Sequence, residues 1–235
     1  MKSLCVIPAR GGSKRIPRKN IRNFCGRPTI AWPIETAKKA ACFDRILVST
    51  DDEEIAEIAS DWGAEIPFIR PSALANDSTP TRDVINHAID FVTENGDKPE
   101  YVCCLYATAV FVRAEDVVRG LDSLRMSDSD FAFSVTSYPY PIQRALRLSQ
   151  LGTVEMFYPE HESTRSQDLQ EAYHDAGQFY WGRVHAYLGN RPIFESISTP
   201  IIIPRHRAQD IDTPEDWEYA ELMFSITRQN DRPSE

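Results

Sequence analysis

No acidic residue precedes Glu35, although the 235-residue chain carries 26 Lys and Arg against 35 Asp and Glu and a formal net charge of −9. Long apolar runs are also missing. None approaches the ~18–20 residues needed to cross a bilayer, and no signal-like apolar stretch follows Met1, so a soluble cytoplasmic protein without a membrane partner is expected. Cysteine is scarce and odd in number: Cys5, Cys25, Cys42, Cys103 and Cys104 all fall in the first half, with no C-x-x-C spacing. That pattern indicates neither a zinc knuckle nor a disulfide framework, and fits buried thiols in a reducing compartment. The acidic balance argues against nucleic acid as a partner. There is no serine elbow and no cysteine with a placed base, so covalent catalysis is not expected.

What the start of the chain holds instead is positive charge. Leu4-Cys5-Val6-Ile7 reads as a buried parallel strand. It empties into Pro8-Ala9-Arg10-Gly11-Gly12-Ser13-Lys14-Arg15-Ile16-Pro17-Arg18-Lys19-Asn20, where five cations stand among two glycines and a serine. Glycine lets backbone N–H groups approach an anion, and clustered Lys and Arg neutralise several charges at once. A solvated basic loop is the plain alternative. Pro8 and Pro17 stiffen both ends, however, and the cations lie inside the loop, which favours a site for a triphosphate. The glycine spacing is neither that of a Rossmann dinucleotide fingerprint nor that of a Walker A loop.

Further along, strands and helices alternate. Thr29 to Ala41 reads as a helix after the turn Cys25-Gly26-Arg27-Pro28, with Thr29 as its cap. Arg45 to Thr50 is a second strand, and Asp51 or Asp52 caps a helix with Ile55, Ile58, Ala59 and Trp62 on one face. Ile66-Pro67-Phe68-Ile69 is expected as a short third strand, Tyr101 to Tyr106 as a central one, and Phe131 to Thr136 as a fifth. Helices are expected around Val84–Val92 and over Ala114–Met126. This predicts an α/β fold with a doubly wound, mainly parallel sheet, in which loops leaving the carboxyl ends of the strands converge on a ligand. Those loops are 10–20, 70–77 and 106–113.

After Ser137 the pattern changes. Pro139 and Pro141 cannot continue a central strand, and Ala145 to Tyr158 resembles a hairpin turning near Leu151-Gly152. Residues 139–170 are read as an inserted lobe that covers the site or makes a dimer contact, within one domain over 1–227. Phe179-Tyr180-Trp181 returns to the sheet, Arg183 to Leu188 is a short helix, and Ile201-Ile202-Ile203 is a strand. Thr213 caps the last helix with Pro214 at its first position, and 228–235 is a polar tail expected to be disordered.

Asp210 and Asp212 lie between that last strand and helix, two apart and therefore on one side of an extended segment. An isolated Asp-x-Asp is commonly a solvated acidic turn. Here a polyanion loop without acids needs metal ligands from elsewhere, and two carboxylates suit Mg2+, which completes its shell with phosphate oxygens. His174-Asp175 face opposite ways if extended, so a structural or substrate-contacting role is preferred over an acid–base dyad.

The Pro8–Lys14 segment with Pro17, Lys19 and Asn20, then Arg70-Pro71 with Leu74-Ala75 and Asp77, resembles the cytidylyltransferases that make CMP-activated nonulosonic acids. Asp210-Ile211-Asp212-Thr213-Pro214-Glu215-Asp216 is similar to that family's metal segment, and the likeness runs from Leu4 to about Phe224. The segments from Ser134 to Leu146 and from Tyr173 to Tyr180 are similar to the branch acting on pseudaminic acid in particular. The resemblance implies a Rossmann-like nucleotidyltransferase fold and a reaction in which the sugar's anomeric hydroxyl attacks the α-phosphorus of CTP and pyrophosphate leaves. It implies that Arg10, Ser13 and Lys19 hold phosphates, with Ala9, Gly11, Gly12 and Lys14 in the same loop. Asn20, Arg70 and Thr81 then fix the nucleoside, with Asp77 and Tyr106 completing the nucleotide site. Asp210 and Asp212 carry Mg2+ and, with Arg10 and Lys19, form the catalytic group. The same resemblance implies that Arg165 meets the sugar carboxylate, with Gln143, Gln178 and Tyr180 as minor contacts, and that the enzyme is a homodimer whose lobes exchange. Where the sialic acid enzymes carry a Gln-Pro-Thr-Ser-Pro-like run, this chain has Tyr106-Ala107-Thr108-Ala109-Val110. Competing readings are a CMP-N-acetylneuraminate or CMP-legionaminate synthetase, a CTP-binding module without chemistry, and an NAD-dependent oxidoreductase, which the glycine spacing disfavours.

Overall fold

Leu4, Cys5, Val6 and Ile7 are fully buried, as an unbroken apolar run requires of a strand covered on both faces. They form β1 (Ser3–Pro8) in a computed structural model that describes residues 2–194 and 197–230. The elements that follow are α1 (Ala31–Ala40), β2 (Arg45–Ser49), α2 (Glu53–Asp61), α3 (Thr81–Glu94), β3 (Tyr101–Leu105), α4 (Ala114–Arg125) and β4 (Phe131–Ser137). A two-stranded hairpin, β5 (Leu146–Leu148) with β6 (Val154–Met156), precedes β7 (Tyr173–Arg183), α5 (Val184–Leu188), β8 (Ser198–Ile202) and α6 (Pro214–Asn230). Positions 231–235 of the expected tail lie outside the described residues, and α6 covers its first three.

The main sheet has six strands in the order β8-β4-β7-β3-β1-β2. β1 pairs in parallel with β2 and β3, and β8 pairs in parallel with β4. The returning strand β7 is antiparallel to both of its neighbours, and its register slips opposite Phe133/Val135. Ile34, Leu121, Phe179 and Trp181 pack on one face of the sheet, and Ile85, Ile89, Tyr180 and Tyr187 on the other. A third cluster joins Ile16 and Phe24 near the start of the chain to Ile211, Trp217 and Phe224 near its end. Among the described residues no helix is long and apolar enough to cross a membrane.

Two local expectations are corrected. Residues 66–69 form no strand, and the segment joins the sheet only through a bridge between Glu65 and Leu47. Pro67 has no N–H to give, and the chain here runs outside the edge strand β2. Thr29 does not cap α1: Ile30 occupies the cap, while Thr29 is buried with its hydroxyl donating to the Arg22 carbonyl at 2.9 Å. The other caps form as read. Asp52 accepts from the Ile55 amide at 3.0 Å, and the Thr213 hydroxyl accepts from the Asp216 amide at 3.2 Å while the Asp216 carboxylate takes the Thr213 amide at 2.8 Å.

Candidate active site

The loop after β1 is fastened before it can serve any ligand. The Ala9 amide donates to the Ser49 carbonyl at 2.9 Å, the Gly11 amide to an Asp51 carboxylate oxygen at 3.0 Å, and the Asn20 side-chain amide to the Arg10 carbonyl at 2.9 Å. Gly11 passes so close to the next βα turn that a Cβ there would lie 2.5 Å from an Asp52 oxygen, whereas a Cβ on Gly12 would meet nothing within 4 Å. Arg18, held in a left-handed conformation at φ 55°, pairs with Asp52 and Glu54, so Asp52 both caps α2 and anchors the loop. Ile16 is buried in the third cluster beside Ile211. That apolar contact brings the two ends of the chain together. Lys19 Nζ donates to the Ile211 carbonyl at 2.7 Å and to Asp212 Oδ1 at 3.2 Å, and Arg15 reaches Asp212 Oδ2 at 3.0 Å.

A cleft of about 500 Å³ opens over this loop. Arg10, Ser13, Lys14, Lys19 and Asn20 line one side, and Arg70, Asp77, Thr81 and Tyr106 the other. Arg70 is buried, donating from Nε to the Ser49 hydroxyl at 3.0 Å and from NH2 to the Ser49 carbonyl, and burial lowers its affinity for its proton. Asp77 pairs with Arg10 and Lys14, and its carboxyl is held below the usual range by hydrogen bonds from Lys14 and then Arg10. Tyr106 is pushed up to about 12 by burial, against hydrogen bonds with Thr81 and Tyr180. The three loops expected to converge therefore do converge.

Asp210 and Asp212 stand beside the cleft rather than among its lining residues, joined to it by Lys19 and Arg15. Asp210 keeps a face to solvent. Desolvation on its other side, then the Asp212 charge, push its carboxyl up, and Lys19 opposes them. Two carboxylates that repel each other at the edge of a cationic cleft are a donor set suited to a hard divalent cation. Among the described residues no group of three or more His, Cys, Asp or Glu could hold a metal, so this edge offers a cation two carboxylates and no all-protein cage.

The remaining residues lie elsewhere. Ala9 is buried beneath the loop. Tyr180 is also buried: its hydroxyl donates to Asp175 at 2.5 Å and its ring centroid lies 5.4 Å from that of Tyr106, so it reaches the cleft only through that tyrosine. Gln178 is buried too, its amide donating to the Arg207 carbonyl. Gln143 donates to the Gln170 carbonyl at 3.0 Å within the 139–170 segment, where Arg165 is exposed. Sequence reasoning missed Asp51 and Asp52 as loop anchors. They stand at the end of β2, and their nearness to the first loop follows only once β2 is known to be the neighbour of β1.

A family model described as cytidylyltransferase matches residues 4–229. Pseudaminic acid cytidylyltransferase of Campylobacter jejuni is 42% identical over 230 residues, covering 98% of this chain and 99% of its own. CMP-N,N'-diacetyllegionaminic acid synthase of Legionella pneumophila is 29% identical over 97% of this chain and 99% of its own. Among solved structures, CMP:2-keto-3-deoxy-manno-octonic acid synthetase complexed with CTP superposes with a TM-score of 0.72 at 17% identity, over 97% of this chain and 100% of that one, which is a likeness of fold.

Proposed function

The chain belongs to the cytidylyltransferase family, and from that premise we propose that it transfers CMP from CTP to the anomeric hydroxyl of a nonulosonic acid, releasing pyrophosphate. Pseudaminic acid is the sugar favoured, because the relative named for it is 42% identical against 29% for the legionaminic acid synthase. One observation carries the reading. Lys19 bonds Asp212 and the Ile211 carbonyl, tying the cationic loop to the carboxylate pair across 192 residues of sequence.

Charge and alignment are what such a reaction needs. Arg10, Ser13, Lys14 and Lys19 would bind the triphosphate, while Asn20, Arg70, Thr81 and Tyr106 orient the nucleoside. The sugar hydroxyl gives up its proton to water as its oxygen forms a bond to the α-phosphorus, the bond from that phosphorus to the bridging oxygen breaks, and pyrophosphate carries off the electron pair. Asp210 and Asp212 would hold Mg2+, which when bound neutralises charge on the phosphates. No protein nucleophile is called for.

The arm spanning 139–170 supports a homodimer. Leu151 is 90% exposed, Leu148 78% and Tyr140 79%, a run of apolar surface that a second copy would cover. Arg165, exposed on the same arm, would then meet the sugar carboxylate in the partner's cleft. Pyrophosphate release from CTP, measured with pseudaminic, legionaminic and N-acetylneuraminic acids, tests the assignment. Turnover highest with pseudaminic acid is expected. Preference for another acid overturns the choice of sugar, and CTP binding without turnover on any of them overturns the enzyme reading.

A further inference from the structure

We infer that Arg207, locked between Asp116 and Gln178, is a positioning residue for the carboxylate pair, setting how tightly Asp210 and Asp212 take a divalent cation. The inference rests on the reading of that pair as a metal site. Arg207 and Asp116 are both buried, and their ion pair joins the turn after β8 to the first turn of α4, 91 positions back. Asp116 is held in turn by Arg119, whose NH2 lies 2.8 Å from it and also donates to the Ile202 carbonyl at 3.1 Å. The other end of Arg207 is fixed as well, since its carbonyl accepts the side-chain amide of Gln178 from β7. The Gln178 carbonyl oxygen is left buried without a partner, so this amide is placed for Arg207 at the expense of its own second bond.

Three residues on comes Asp210. Beyond it Ile211 is buried among Ile16, Trp217 and Phe224, and the Asp212 amide donates to the Asp216 carboxylate at 3.1 Å. Asp210 is thus the exposed member of a short segment clamped on both sides, one clamp apolar and the other ionic. The ionic clamp is a poor device for stability alone. Taking two charges out of water carries a penalty that their attraction does not always repay, and apolar replacements of such pairs are often neutral or stabilising. What an Arg–Asp pair adds is a fixed direction; groups that bond a metal ligand directly alter metal affinity by about 10–100-fold, and a support one step further out is expected at the low end of that range.

The test replaces the pair by apolar residues of similar size, Arg207→Met with Asp116→Leu, and separately severs the second contact with Gln178→Leu. Mn2+ is titrated into each protein and followed by the loss of its free EPR signal, alongside the melting temperature and the Mg2+ dependence of turnover. The expected result is a dissociation constant for Mn2+ raised about tenfold in the double variant and less in Gln178→Leu, with KM for CTP at saturating Mg2+ unchanged. If the double variant does not fold, Gln178→Leu, which removes no charge, gives the same readout. Unchanged Mn2+ binding in the variants, while Asp210→Asn loses it, overturns the positioning role and leaves the metal site standing. Unchanged binding in Asp210→Asn overturns both.

Discussion

Charged side chains around the cleft find partners within the chain, whereas several apolar side chains of the arm stand open to solvent. Arg15 and Lys19 pair with Asp212, Arg18 with Asp52, and Arg10 with Asp77, while Leu148, Leu151 and Val154 stand largely in solvent. Exposed charge is tolerated by water, but a contiguous apolar face larger than a few hundred Å² usually marks a contact surface. On the proposed reading the nucleotide half of the site is therefore complete in one protomer, and the sugar half, through Arg165, would need a second.

The sharpest way to break that contrast is in the cleft. Asp210→Asn or Asp212→Asn is expected to lower turnover by about 10³-fold, because developing charge on the phosphates loses its counter-charge. The melting temperature should hold or rise in Asp210→Asn, since burial and then the Asp212 charge push that carboxyl up, and should fall in Asp212→Asn, which loses the pairs to Lys19 and Arg15. Turnover within a factor of a few of the parent would remove the carboxylates from the mechanism.

On the arm, Leu148→Asp with Leu151→Asp is expected to give a monomer by light scattering. CTP affinity should be kept, and KM for the sugar acid should rise about tenfold or more, the worth of one charged hydrogen-bonding contact. A monomer with an unaltered KM for the sugar would mean that each cleft is complete on its own, and the contrast drawn above would fail.

The same contrast governs what the sequence could tell. Leu4–Ile7 and Tyr101–Tyr106 read as strands because short apolar runs of this kind suit a sheet buried on both faces; the first lies within β1 and the second is found one residue shorter, ending at Leu105. Direction and neighbours were not legible. Phe179-Tyr180-Trp181 reads as a returning strand, yet no residue in it says that it runs antiparallel between β3 and β4. Ile66–Ile69 has strand composition but no partner beyond Glu65, since β2 is the edge. At the site, cation clustering identified the loop, but which carboxylates answer it depends on strand order. Gln178 shows the limit of residue chemistry. An amide suits a sugar hydroxyl and a backbone carbonyl equally, and only burial assigns it to Arg207.

Gly11→Ala probes how tightly the loop is built. The added methyl would meet Asp52, the residue that caps α2 and anchors Arg18, so something must shift. Overpacking of this kind costs about 1–3 kcal/mol, read as a lowered denaturation midpoint with an unchanged slope. KM for CTP should rise as well, because Arg10 and Lys14 ride on the same turn. An unaffected midpoint would mean that the two turns are free to separate.

The smallest effect is expected at Asp77, where it would run in the opposite direction. Its carboxylate takes Arg10 and Lys14, two of the cations proposed for the triphosphate, and both pull its pKa down. An incoming triphosphate must take those cations from it, so the acid acts as a competitor held within the cleft. Because Asp77 is well exposed, water and salt screen the pairing, and the gain from removing it is a modest one. Asp77→Asn should therefore tighten CTP binding a few-fold in calorimetry at low ionic strength, with the difference fading as salt is raised. Weaker binding in Asp77→Asn would instead make the carboxylate a direct contact of the nucleotide, and the charge balance of the cleft would have to be redrawn around it.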